Sequence, residues 1–133
     1  MNAVWVNGSN YYKRKLTERI VDFCIKKLVP RMKTLDIYVD LDNNMDNADG
    51  YCYSVNPREF VLQIDNRLKG DDFITAVCHE MVHVKQYAKG ELKEKGSVKT
   101  LEEYLSLWYE KEAFKMQEVL LEQFKDSRHS SAG

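Results

Sequence analysis

The chain has 133 residues, is 44% hydrophobic and 31% charged, and carries a net charge of -1. That suits one globular domain with little chain left for a second, and the balance of acids and bases argues against a broad nucleic-acid surface. No run of about 18 apolar residues exists to cross a membrane, and three widely spaced cysteines, Cys24, Cys52 and Cys78, argue against a disulfide frame or a cysteine zinc ribbon. Met1 to Asn10 lacks the basic start and apolar run of a signal peptide, so the expected compartment is the cytoplasm.

Ala3-Val4-Trp5-Val6 reads as a short strand closed by the turn Asn7-Gly8-Ser9-Asn10. From about Tyr11 to Val29, Leu16, Ile20, Phe23, Cys24 and Leu28 recur at helical steps, and Pro30 stops the helix. Leu35 to Leu41 alternates apolar and polar, as a strand with one buried face does. Asp42 to Gly50 is acidic and turn-rich. It lacks EF-hand spacing and a closing glutamate, so it reads as a solvated loop and not a calcium site. Tyr51 to Val55 and Glu59 to Asp65 read as strands joined at Asn56-Pro57, which predicts a meander. A real first strand would add a strand–helix–strand crossover from Val4 to Leu41 and make the sheet mixed.

The next helix opens at Gly70-Asp71-Asp72, with Asp71 as its expected N-cap, and runs to about Lys89, where Gly90 ends it. Phe73, Val77, Met81, Val84 and Ala88 form its apolar stripe, whereas His79 and His83 share a different face. After a polar loop from Glu91 to Lys99, a last long helix is predicted from Thr100 to Lys125. Its stripe is Leu101, Leu105, Trp108, Met116, Val119 and Leu120. Glu112 falls in the middle of that stripe and Glu110 on the opposite side. Leu107, Phe114 and Leu121 make a second patch for the first helix or a partner. Residues 126–133 read as a disordered tail, which leaves a single domain over residues 1–125.

The chemistry lies in His79-Glu80-Met81-Val82-His83, a His-Glu-x-x-His motif on a helix. Positions four apart project from nearly the same angle, so His79 and His83 can grip one metal ion and Glu80 can act as general base. A carboxylate among buried apolar side chains is costly unless paired or metal-bound. Glu112 is therefore the expected third ligand; an ion pair with Arg31, Lys15 or Lys33 is the alternative. Two histidines, a glutamate and an open position most often hold zinc, which lowers the pKa of a water whose proton Glu80 takes. Thr75, Gln86 or a strand carboxylate could orient the histidines, and Tyr87, Tyr104 or Tyr109 could stabilise an oxyanion. His129 has no assigned role.

These residues resemble a gluzincin, the thermolysin-like clan of zinc metallopeptidases. Residues 79–92 are similar to small phage and bacterial proteins described as SprT-like metallopeptidases, and Glu112-Ala113 matches the Glu-Ala pair that carries the clan's glutamate ligand. The resemblance implies an α+β, minimal zincin-like fold: a backing helix, a small mixed or antiparallel sheet, the His-Glu-x-x-His helix and a C-terminal glutamate helix. It implies peptide or protein substrates, held along the Tyr51–Val55 edge strand, in the cytoplasm (that of the host if the chain is viral). The chain lacks the large second domain of thermolysin-like enzymes, so a protein partner could complete the cleft. The expected function is a Zn2+-dependent metallopeptidase; the alternative is a non-catalytic zinc-bearing interaction or regulatory domain.

Overall fold

A computed structural model describes residues 1–46, 48–94 and 100–132, without the side chains of residues 129–132. The elements run β1 (Ala3–Asn7), α1 (Tyr11–Leu28), β2 (Asp36–Asp42), β3 (Gly50–Asn56), β4 (Glu59–Asp65), α2 (Gly70–Ala88), α3 (Leu101–Ser106) and α4 (Trp108–Ala132). The architecture is α+β with a small mixed sheet of order β1-β2-β4-β3. Strands β1, β2 and β4 are parallel, and β3 is an antiparallel edge strand.

The expected meander gives way to a detour: the chain leaves β2, lays down β3 at the edge, and returns with β4 between them. Side-chain content explains the choice. Phe60, Leu62 and Ile64 of β4 are fully buried, whereas β3 buries only Cys52. The more apolar strand takes the interior position, where packing is richest. The turn after β1 is equally specific. Gly8 has φ +96°, and a Cβ there would lie 2.6 Å from the Leu41 carbonyl oxygen, so only glycine fits.

Alternation along the strands sends Ile37, Val39, Leu41, Phe60, Leu62 and Ile64 to one face, where α1 and α2 cover them. The opposite face is open, and there Trp5 stacks on Tyr38 with ring centroids 4.6 Å apart. Helix α1 is capped by the Asn10 side chain, which accepts the Lys13 N–H. Its Cys24 lies 3.8 Å from Cys78 of α2, both as buried thiols.

Helix α2 is central, packed against α1, α4, β3 and β4. Its expected stripe of Phe73, Val77, Met81 and Val84 is buried in the core. Asp71 is not its cap. Lys69 holds that position without a side-chain bond, and Asp71 and Asp72 sit in the first turn, where acids favour the helix dipole.

The predicted single helix from Thr100 to Lys125 is two helices. Leu107 adopts extended backbone angles (φ -65°, ψ 133°), and its carbonyl accepts the first N–H bonds of α4 from Glu110 and Lys111. The break resets the phase of everything after it. Leu101, Leu105 and Trp108 are 71%, 45% and 49% exposed and Val119 is exposed too, so of the predicted stripe only Leu120 is buried, with Met116 half-buried against the core. The face that α4 buries is Tyr109, Glu110, Ala113, Leu120, Leu121 and Phe124. Leu121 of the second predicted patch joins the core, while Phe114 stays at the surface of the site. Helix α4 also continues through residues 126–132, where the sequence suggested a tail. Part of the loop expected over Glu91–Lys99 (residues 95–99) and the last residue of the tail, Gly133, lie outside the described residues, as does the His129 side chain.

Candidate metal centre

Where α2 crosses α4, three polar side chains meet in the interior. His79, His83 and Glu110 are 7%, 1% and 2% exposed. His79 Nε2 lies 2.9 Å and His83 Nε2 3.1 Å from the same atom, Glu110 Oε1. One carboxylate oxygen is thus shared by two imidazoles one helical turn apart on α2, the placement that i, i+4 spacing dictates.

The surrounding amides decide which ring nitrogens carry protons. Gln86 donates its NH2 group to the Tyr109 carbonyl oxygen (3.0 Å) and to Glu112 Oε1 (2.8 Å). Both are acceptors only, so the Gln86 carbonyl must face His83 Nδ1, 2.7 Å away. Gln117 donates to Glu118 and turns its own carbonyl to His79 Nδ1, also at 2.7 Å. Each Nδ1 is therefore the N–H donor. Each neutral ring then points an Nε2 lone pair at a carboxylate oxygen, an acceptor facing an acceptor. Such a cluster is stable only with a cation in it, either a proton or a metal. His79 responds in that way: burial lowers its pKa, but the hydrogen bond to Glu110 and the charge of Glu80 prevail and raise it above the ordinary histidine value.

A metal fits the same space. All three ligand atoms lie within 4.8 Å of one another. Bonds of about 2.0 Å at tetrahedral angles separate ligand atoms by roughly 3.3 Å, so the two histidine–glutamate distances need to lengthen only slightly to accept an ion. His79, His83 and Glu110 could therefore hold a metal ion.

The expected third ligand, Glu112, is not in this cluster. Two residues further along α4, it lies about 200° round the helix from Glu110. Its oxygens accept from Lys85 Nζ at 3.2 and 3.1 Å and from Gln86. Burial pushes its carboxyl up, but the Gln86 and Lys85 hydrogen bonds outweigh that and hold it below the usual carboxylate range. Its ion-pair partner is Lys85 of α2, not Arg31, Lys15 or Lys33. Glu112 acts on the centre at one remove, by fixing the amide that orients His83.

Glu80 is 5% exposed and lines the same cleft as the triad. Edge strand β3 passes directly over it: a Cβ on Gly50 would lie 3.1 Å from Glu80 Cγ and 3.2 Å from Oε2. Glycine at position 50 thus lets bare backbone approach the carboxylate. The cleft encloses about 760 Å³ between β3, α2, α3 and α4. Of the three tyrosines considered, Tyr104 lines it, whereas Tyr87 packs near Phe60 and Tyr109 near His83. Burial, the Glu110 charge and a hydrogen bond to Glu110 all push the Tyr104 hydroxyl well above its usual pKa, so it remains a donor at any working pH.

Sequence reasoning missed Glu110, Gln117 and Gly50. A signal for Glu110 existed: counted within Trp108–Lys125 alone, Gln117, Leu121 and Phe124 lie within about 40° of it. No helix among the described residues is long and apolar enough to cross a membrane. Comparison with protein-family models, curated proteins and solved structures finds no match to this chain.

Proposed function

We propose that the protein is a metal-dependent peptide hydrolase of the small gluzincin kind, with the glutamate ligand at position 110. The observation that carries this reading is Glu80. It is a buried carboxylate outside the ligand cluster, next to it in sequence, and open to the same cleft. A purely structural ion needs ligands but no neighbouring base.

In this reading His79, His83 and Glu110 hold a divalent ion, with zinc the ion best suited to two imidazoles and a carboxylate. When bound, such an ion supplies Lewis acidity, acidifying water and polarising a carbonyl. Glu80 takes the proton from the attacking water and delivers it to the leaving amine. Tyr104, held protonated, reaches the developing oxyanion by turning its hydroxyl away from Glu110. Gln86 and Gln117 hold the two imidazoles in the tautomer whose Nε2 atoms face the ion.

The depth of the cluster also suits a second reading, a zinc-bearing interaction domain without catalysis. Zinc-loaded wild type and Glu80→Gln, assayed on a peptide library, separate the two. Cleavage by wild type should fall by about 10²-fold or more in Glu80→Gln, with zinc stoichiometry unchanged. Cleavage at the same rate in both proteins rules out Glu80 as the base.

A further inference from the structure

We infer that the cleft selects cationic polypeptides, holding a lysine or arginine side chain at the end near the start of α2. This rests on the hydrolase reading and names the substrate class of that site.

The cleft has a direction because α4 runs antiparallel to α2. Glu110 pairs with His83, Gln117 with His79, and Lys125 Nζ lies 2.9 Å from Asp71 Oδ2. Toward the start of α2 the walls carry Asp71, Asp72 and Glu118, and strand β3 is preceded by Asp49 on the facing wall. Leu101 and Tyr104 of α3 also line the cleft. Among the described residues, no lysine or arginine lines the cleft.

The charges do not cancel. Glu80 and Glu110, at the centre, are offset by the divalent ion proposed there. Asp71 is offset by Lys125. Asp49, Asp72 and Glu118 are exposed and form no ion pair among the described residues. Exposed carboxylates flanking one end of a concave site draw cations in and repel acids, and salt weakens both effects. The aliphatic stem of a lysine or arginine can lie along the cleft wall while its charged head reaches that rim.

The test uses labelled peptides that differ only in a lysine, glutamine or glutamate moved through each position. Binding is measured by fluorescence anisotropy to the zinc-loaded Glu80→Gln protein, which separates recognition from turnover. At the best position, lysine should bind about tenfold more tightly than glutamate at low salt, narrowing to about two- to threefold near 0.5 M salt. The preference should collapse in a protein that also carries Asp72→Asn and Glu118→Gln, both isosteric changes at exposed positions. Equal binding of the lysine and glutamate peptides, a preference that survives the double substitution, or no binding by any peptide overturns the inference. Selective binding of lysine peptides that wild type leaves intact overturns the hydrolase reading and leaves this inference standing. Equal cleavage of acidic and basic peptides by wild type does the reverse.

Discussion

Glu110 and Glu112 are two residues apart on one helix, yet they occupy different chemical settings. Glu110 is buried with one oxygen held between two imidazoles, where no neutral arrangement satisfies the three groups. Glu112 is about a third exposed and lies in an ordinary ion pair with Lys85, itself shared with Glu91. The inner group is positioned for a cation that a proton or metal must supply. The outer group already has its cation from the chain. A carboxylate on an amphipathic helix is thus read by what faces it across the packing, and its place in the sequence decides little.

The sharpest way to break this contrast is Glu110→Ala. It should abolish stoichiometric zinc binding, a loss greater than the roughly 10–100-fold expected for a supporting residue. Metal analysis after dialysis against zinc checks it, and retention of one zinc per chain would refute the ligand set. Next in size is Gln86→Leu, which removes the amide that fixes the His83 tautomer. Zinc affinity should fall about 10–100-fold, read by competition with a chelator of known affinity.

The pH dependence of the inner cluster gives a third, smaller effect. The His79 pKa is raised in the fold, so the metal-free protein gains stability from its protonation. That contribution is full below the unfolded value and is lost as pH rises through the higher folded one. Zinc must displace the same proton, so its affinity should weaken by up to about tenfold per pH unit below the folded pKa. Melting with and without zinc at pH 6 and pH 8 checks both slopes, and a zinc stabilisation equal at the two values would contradict the pairing. The smallest effect is expected from Glu112→Gln. It leaves Glu91 beside Lys85, so stability should change by about 1 kcal/mol or less and zinc affinity by less than about tenfold. Denaturant titration and the chelator assay measure the two. If Glu112→Gln harmed zinc binding as much as Glu110→Ala, the distinction between the two carboxylates would disappear.

The histidine pair was legible because a helix of known phase carries it. Phe73, Val77, Met81 and Val84 mark the core side of α2, and i, i+4 geometry does the rest without tertiary information. The same method misassigned α4 because its phase was counted from Leu101, across the break at Leu107. That break has no chemical signature. There is no glycine or proline, and the residue just before α4, in the capping position, is Leu107, which offers no side-chain acceptor to advertise a cap. A helix wheel is only as good as its starting residue, and one extended residue resets it.

The sheet divides in a similar way. Alternation in β2 identified its buried face, since pleat geometry is local. Which strand would sit at the edge was a competition between β3 and β4 for interior packing, and only assembly resolves such a competition. Its outcome matters to the site, because the edge strand is the one whose Gly50 lies over Glu80.

The sequence by itself determined the elements with strong periodicity, the apposition of His79 and His83, and the adjacency of Glu80 to them. All three are consequences of bonds within one helix. The tertiary structure decided that Glu110 and not Glu112 meets the histidines, that Gln86 and Gln117 set their tautomers, and that β3 closes over the cleft. Those depend on how separate elements pack, and packing is settled by burial summed over the whole core, which no local spacing encodes.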